Sequence, residues 1–269
     1  MGSVYGIGDI HGQYQTLLQL LRQANLVDSA AGWCGGDATL WFLGDLCDRG
    51  PESIAVIDLV MTLQQEAPAS GGCVAALMGN HEPLLLAAHR FGGDSVDGPG
   101  GAFLAAWLRN GGRPEDREHL TPAHLAWLTQ LPAMALAGDR LLVHADALSY
   151  AAYGDTVASV NAALAAVLAS DDRQAWGQLL DAFAERLAFT GEGGEARAVA
   201  FLRLYGGSRL IHGHTPIPFL TGEPPAGVTG PLLYAGGRCV DLDAGLYLGA
   251  PGFVYRLDAP EEAGTDGVD

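Results

Sequence analysis

Five groups of residues in this chain carry the oxygen and imidazole donors that hard divalent cations take. They read Gly8-Asp9-Ile10-His11-Gly12, Gly44-Asp45-Leu46-Cys47-Asp48-Arg49-Gly50, Gly79-Asn80-His81-Glu82, His144-Ala145-Asp146 and His212-Gly213-His214-Thr215. Carboxylate, amide oxygen and imidazole suit Mn, Fe or Zn, whereas a structural zinc site would draw on paired thiolates. Cys34, Cys47, Cys73 and Cys239 form no Cys-x-x-Cys pair and read as free thiols. Along Asp9-Ile10-His11, strand alternation turns both donors to one side and Ile10 to the core. The donors suffice for two ions roughly 3.5–4 Å apart, sharing one carboxylate and able to ionise a solvent molecule between them.

Such donors must converge from distant parts of the chain, and the hydrophobic pattern says how. A strand over 3–7 leads into the first group and a helix over 14–25, striped by Leu17, Leu18, Leu20 and Leu21. A second strand over 39–43 ends at Asp45, with Pro51 placed to open a helix through Ile54, Val56, Ile57 and Val60. A third over 73–78 ends at Asn80, with Pro83 opening a helix through Leu84, Leu85 and Leu86. Alternating strand and helix predicts an α/β layer architecture whose ligands gather at strand carboxyl ends. A hairpin over 133–137 and 141–143, turning at Gly138-Asp139, would deliver His144, and a strand over 209–211 would deliver His212 and His214. Segments 231–235, 239–242 and 253–256 read as a closing meander.

Two stretches break the rhythm. Residues 92–118, around Phe103 to Leu108, read as a surface excursion near the Asn80 loop. Residues 156–204 are Ala-rich and helical by pattern, with Val157, Val160, Leu164, Val167 and Leu168 on one face, then Leu179, Leu180, Phe183 and Leu187. They predict a helical cap inserted at about 150–205 into a single domain over 1–258. Residues 259–269 are acidic and poor in apolar side chains, and predict a frayed tail.

The chain has 269 residues, 49% apolar, and a formal net charge of -17. That balance disfavours nucleic acid and anionic membrane, both bound mainly through Lys and Arg. All 14 basic residues are arginines, so any side-chain cation that grips phosphate is a guanidinium, whose planar fork suits the task. No signal-peptide pattern or membrane-length apolar run is present, so a cytoplasmic location is expected.

The five groups resemble the signature of the calcineurin-like metallophosphoesterases, specifically the phosphoprotein phosphatase (PPP) family. Gly-Asp-x-His-Gly, Gly-Asp-x-x-Asp-Arg-Gly and Gly-Asn-His-Glu are met in full and in order, and the two histidine motifs follow, so the resemblance runs from Gly8 to Thr215. It is closest to the small bacterial and phage-type serine/threonine phosphatases, because His144-Ala145-Asp146 replaces a His-Gly-Gly form and Trp107-Leu108-Arg109-Asn110-Gly111-Gly112 resembles a stretch seen there. The fold implied is a metallophosphoesterase-type β-sandwich flanked by helices.

The resemblance implies two divalent ions, manganese foremost, with iron, zinc or cobalt fitting the same donors. Asp9 and His11 would hold the first, Asn80, His144 and His214 the second, and Asp45 both. His81 would be the general acid, oriented by Asp48, and Arg49 would grip the phosphate together with Asn80. A second phosphate-binding arginine is implied between the fourth and fifth motifs. Among Arg173, Arg186, Arg197 and Arg203 no motif decides, and Arg186 in Glu185-Arg186-Leu187-Ala188-Phe189 is the expected one.

Asp146 could fix an imidazole or serve a loop turn, His212 reads as a strand-end residue, and Glu82 as a first-turn carboxylate favoured by the helix dipole. His89, His119 and His124 match nothing. The activity implied is in-line hydrolysis of phosphomonoesters on protein side chains, Ser/Thr and also Tyr, so the partners expected are phosphoproteins or small phosphoesters. Relatives that cleave diadenosine tetraphosphate symmetrically share the metal site but tend to carry Ala where this chain has Asp48. A non-catalytic scaffold is the third alternative, and would have no need of His81 and Asp48.

Overall fold

The computed structural model describes residues 2–92 and 101–258. The expected tail at 259–269, and residues 93–100 of the expected excursion, lie outside the described residues. Among the described residues, nine strands form two sheets: β1 (Val4–Ile7), β2 (Thr39–Phe42), β3 (Cys73–Ala76), β4 (Met134–Ala137), β5 (Arg140–Val143), β6 (Arg209–His212), β7 (Leu232–Tyr234), β8 (Cys239–Asp241) and β9 (Tyr255–Arg256). One sheet runs β3-β2-β1-β9 and the other β4-β5-β6-β8-β7. The helices are α1 (Tyr14–Gln23), α2 (Ser53–Glu66), α3 (His81–Phe91), α4 (Gly101–Arg109), α5 (Pro114–His119), α6 (Pro122–Leu128), α7 (Val157–Ala169), α8 (Arg173–Phe183), α9 (Gly194–Tyr205) and α10 (Ile217–Thr221).

Strand alternation explains the layering. On β2, Leu40 and Phe42 enter the main core with Leu17, Leu21, Ile57 and Val60 from α1 and α2. The alternate residues Trp41 and Leu43 enter a second cluster with Leu142, Ile211, Val240 and Leu257. That second cluster draws on both sheets, so it is the seam of a sandwich, while the outward faces are covered by helices. Truncating Leu142 or Ile211 to Ala would open a cavity in the seam and cost about 2–5 kcal/mol.

β1, β2 and β3 pair in parallel, as do β5, β6 and β8. Their carboxyl ends therefore point the same way within each sheet, which is what brings the loops after β1, β2, β3, β5 and β6 together. The hairpin β4–β5 forms as expected.

Four local expectations are corrected. The closing segments are not one meander. β7 pairs with β8, but β9 crosses to the other sheet and pairs antiparallel with β1, anchored where Leu257 N–H donates to Val4 O at 2.7 Å. Pro51 lies before α2, which begins at Ser53, because Glu52 between them is non-helical (φ -130°, ψ 42°) with its N–H given to Gly12 O at 3.1 Å. Pro83 is inside the first turn of α3, which already starts at His81. Leu187 is exposed on the loop after α8, with left-handed φ of 66°, and not on a helical face.

In the segment read as an excursion, α4 and α5 pack on α3, and Trp107 is wholly buried. In the expected insertion, α7 buries Val160, Leu164 and Leu168, and α8 buries Trp176, Leu179 and Phe183, all within the main core. α7 lies against β4 and α9 against β6. Among the described residues no helix is long and apolar enough to cross a membrane.

Candidate active site

The sharp turns after the strands are built by glycine and by strained neighbours. A Cβ on Gly79 would collide with Asp45 Oδ1, and one on Gly213 with Asp9 Oδ1, so these two glycines let the backbone approach the carboxylates. His11, Asp45, Asp48, Arg49 and His214 all have left-handed φ, between 46° and 75°. Non-glycine residues adopt that region at a cost of about 1–3 kcal/mol each, and such strain concentrates where side chains must be aimed.

Asp45 sits between two donor groups. Its Oδ2 lies 3.5 Å from His11 Nε2, which is itself 3.8 Å from Asp9 Oδ2. Its Oδ1 lies 3.4 Å from His144 Nε2. Asn80 Oδ1 is 3.1 Å from the same His144 nitrogen and 2.8 Å from His214 Nδ1, and the two imidazole nitrogens are 3.2 Å apart. His11, Asp45 and His81 form one cluster of metal-binding type, and Asp45, His144 and His214 another, all buried.

Hydrogen bonds fix which ring nitrogens face inward. His11 Nδ1 donates to Cys47 O and His144 Nδ1 to Leu43 O, each at 2.9 Å, leaving both Nε2 lone pairs turned into the site. With a neutral His144 ring, Nε2 and Asn80 Oδ1 point lone pairs at each other, an arrangement that calls for a proton or a metal cation between them. Asp9 Oδ2 and His214 Nε2 are buried without any hydrogen-bond partner. The donor set, the facing lone pairs and these orphaned atoms fit a pair of divalent ions.

The electrostatics point the same way. Burial lifts Asp9 well above the ordinary carboxylate range, and the charges of Asp243 and Asp45 add to the lift. Burial would also raise Asp45, but the His144, His81 and His11 charges outweigh it and hold Asp45 well below that range. Burial depresses His144, yet the Asp45 carboxylate overcomes this and lifts it. The site concentrates negative charge that wants a cation beside it.

His81 stands at the start of α3 with Nδ1 2.8 Å from Asp48 Oδ2, and its own backbone N–H donates to Asp45 Oδ1 at 2.9 Å. The other Asp48 oxygen accepts from Trp107 Nε1 at 2.7 Å. Burial raises Asp48, while the hydrogen bonds from His81 and Trp107 pull it back. Arg49 donates to His11 Nε2 at 2.8 Å and to His81 Nε2 at 3.0 Å, and its guanidinium lies 4.3 Å from the centroid of the Tyr247 ring.

Of the four candidate arginines, Arg186 is the one whose charge acts on the site. Burial first, then the charges of His144 and Arg186, hold His214 well below the usual imidazole range. Arg186 is exposed on the loop after α8. Arg197 is committed to the carbonyls of Ala188, Thr190 and Glu192, and Arg173 lies 5.4 Å from the Phe91 ring.

The structure also assigns work to residues that the sequence left vague. Glu82 lies in the first turn of α3 as expected, and it does more than face the helix dipole. It is buried and accepts N–H bonds from Asp45 at 3.0 Å, Leu46 at 2.7 Å and Gly79 at 2.8 Å, tying the second and third loops together. His212 ends β6 with Nε2 2.8 Å from the Tyr234 hydroxyl, turned away from the donor clusters. Asp146 fixes no imidazole directly. It accepts from Leu187 N–H and from Tyr234 O–H, each at 3.0 Å. His124 caps α6 and stands outside the site.

Asp243, Trp107 and Tyr247 were not legible as site residues. The one available signal was Asp241-Leu242-Asp243-Ala244-Gly245, two carboxylates alternating at the end of an apolar strand. Burial, opposed by the Gly245 N–H and reinforced by Asp45, pushes Asp243 up to about 6.

Comparison with known proteins agrees with this geometry. The model of the calcineurin-like phosphoesterases matches residues 2–218. The symmetrical bis(5'-nucleosyl)-tetraphosphatase of Citrobacter koseri is 35% identical over 153 residues, 54% of this chain and 43% of that protein. Shewanella-like protein phosphatase 2 of Arabidopsis thaliana is 36% identical over 80 residues, 30% of this chain and 20% of that protein. These matches span less than half the length of the curated relatives. The solved cold-active protein-tyrosine phosphatase of a psychrophile Shewanella sp. shares the fold, with a TM-score of 0.69 and 22% identity over 94% of this chain and 74% of that one.

Proposed function

This chain belongs to the calcineurin-like phosphoesterase family, and on that premise we propose that it is a dinuclear metal-dependent phosphatase that hydrolyses phosphomonoesters on protein side chains. In this reading Asp9 and His11 hold one divalent ion, Asn80, His144 and His214 the other, and Asp45 is shared. When bound, the ions would supply the charge that activates water for in-line attack and neutralises the phosphoryl oxygens.

The residues of the chain divide the remaining work. Arg49, laid over Tyr247 and beside His81, exchanges its imidazole partners for phosphate oxygens, which a guanidinium can grip through two parallel N–H bonds. Arg186, exposed on the loop after α8, would be the second phosphate-binding arginine. His81 offers Nε2 to the leaving oxygen while Asp48 holds Nδ1, and Trp107 holds Asp48 in turn. A positioned acid of this kind contributes about 10²–10⁴ in rate. Burial of the Asp9, Asp45, His11 and His144 side chains keeps bulk water from competing with these contacts.

The observation that carries the reading is the buried Trp107–Asp48–His81 chain. A protein that only bound phosphoesters would have no use for an oriented proton donor. The acidic, lysine-free composition adds to it, because two site arginines suit a single phosphate better than a run of four. A second reading, symmetrical cleavage of diadenosine tetraphosphate, is supported by the 35% identity over 153 residues noted above. The test is a substrate panel under Mn²⁺, with and without chelator, comparing phosphoserine, phosphothreonine and phosphotyrosine peptides with dinucleoside polyphosphates. Higher kcat/KM on the peptides supports the first reading. Preference for the dinucleotide replaces it with the second, and hydrolysis of neither leaves a scaffold.

A further inference from the structure

The loop between α8 and α9 carries an exposed arginine between two residues that are each pegged by a carboxylate. On one side, the Glu185 carboxylate accepts Leu148 N–H at 3.2 Å and Ser149 N–H at 2.8 Å. On the other, Leu187 N–H donates to Asp146 Oδ1 at 3.0 Å and Ala188 N–H to the Asp146 carbonyl at 2.9 Å. The remainder of the loop is stapled by Arg197, which donates to the Ala188, Thr190 and Glu192 carbonyls at 2.6–3.1 Å. Arg186 itself makes no hydrogen bond or ion pair among the described residues, and its charge acts on His214 and on Tyr247.

The pegs stand on the walls of the site. Asp146 follows His144 by two residues, and its Oδ2 meets the Tyr234 hydroxyl, which also meets His212 two residues before His214. Leu187 pays in conformation for the arrangement, with φ of 66° that a branched side chain rarely adopts. We propose that Asp146 and Glu185 are positioning residues that hold the Glu185–Leu187 segment rigid, so that Arg186 is presented to the substrate phosphate with little ordering left to do. The inference rests on the reading of Arg186 as a phosphate-binding residue. A loop of this length without pegs would sample many conformations on the nanosecond to microsecond scale, and gripping phosphate would first require it to be ordered.

The experiment uses the manganese-loaded full chain with inorganic phosphate as the probe. Glu185→Ala and Asp146→Ala are each made with Arg186 intact and with Arg186→Ala. The inhibition constant of phosphate, kcat and KM for an aryl phosphate, and hydrogen exchange at the Leu187 amide are measured. With Arg186 intact, each peg variant is expected to weaken phosphate inhibition by roughly ten- to a hundredfold, the scale on which a small misplacement costs an enzyme, and to speed exchange at Leu187. With Arg186→Ala, the peg variants should cause no further loss.

If Arg186→Ala weakens phosphate but the peg variants do not, the pegs are structural and the proposal fails. A further loss in the Arg186→Ala background overturns it as well, because the pegs would then act through the His144 side. If Arg186→Ala leaves phosphate inhibition unchanged, the reading of Arg186 fails first, and Leu187 exchange separates the two failures. Should Asp146→Ala not fold, Glu185→Ala alone decides, since Glu185 is only half-buried.

Discussion

Trp107→Phe should shift the pH dependence of hydrolysis upward, although Trp107 lies far in sequence from the residue it serves. Its indole N–H donates to Asp48 Oδ1 at 2.7 Å inside a fully buried contact. Asp48 is already raised by burial, and the Trp107 bond is one of two that pull it down. A hydrogen bond to a charged group is worth about 1.5–3 kcal/mol, so removing the donor should disfavour the Asp48 anion by about that much and raise its pKa further. Once protonated, Asp48 is no longer the anion that receives the His81 Nδ1–H, so the acid limb of kcat/KM should move up. The assay is aryl phosphate hydrolysis under saturating Mn²⁺ from about pH 5 to 9, with the melting temperature followed in parallel. In an Asp48→Asn background the Trp107→Phe shift should vanish. Superimposable profiles for Trp107→Phe and its parent would refute the reasoning and leave Trp107 as packing alone.

Three further outcomes are expected. His81→Asn should lower kcat by about 10²–10⁴ while two ions stay bound, read by metal analysis and single-turnover kinetics; loss of an ion would make His81 a ligand instead. Glu82→Gln should destabilise the fold by roughly 1–3 kcal/mol, since at least one of three buried N–H donors loses its acceptor, and an unchanged denaturation midpoint would contradict the loop-tying role. Asp243→Asn should gain stability over its parent in chelator as pH rises. The folded carboxyl titrates at about 6 against an ordinary value of 3.8, so the parent binds its proton more tightly when folded and loses that contribution on deprotonation, across the window from about 4 to about 6. A stability difference independent of pH would show that Asp243 is not the group responsible.

The donor residues are legible because each lies within a few residues of a strand end, where the loops gather. The strand alternation expected along Asp9-Ile10-His11 does not hold: β1 ends at Ile7, and His11 is turned by a left-handed φ of 46°. Sheet order is a different kind of information. β9 is two residues long, and nothing in Tyr255-Arg256 says that it will pair with β1; that choice is made by Leu257 meeting Val4 and by the room left beside the first strand. The same limit hid the supporting residues. Trp107 is 59 positions from Asp48 and Tyr234 is 88 from Asp146, so their hydrogen bonds exist only once α4 is packed on α3 and β7 on β8. Glu82 is the first-turn carboxylate that its motif implies, but its reach to the second loop is not local information, since it depends on the left-handed backbone of Asp45, whose N–H is turned toward α3. Residues that carry donors are therefore set by local chain direction, whereas residues that hold those donors still are set by which loops the sandwich seam forces into contact.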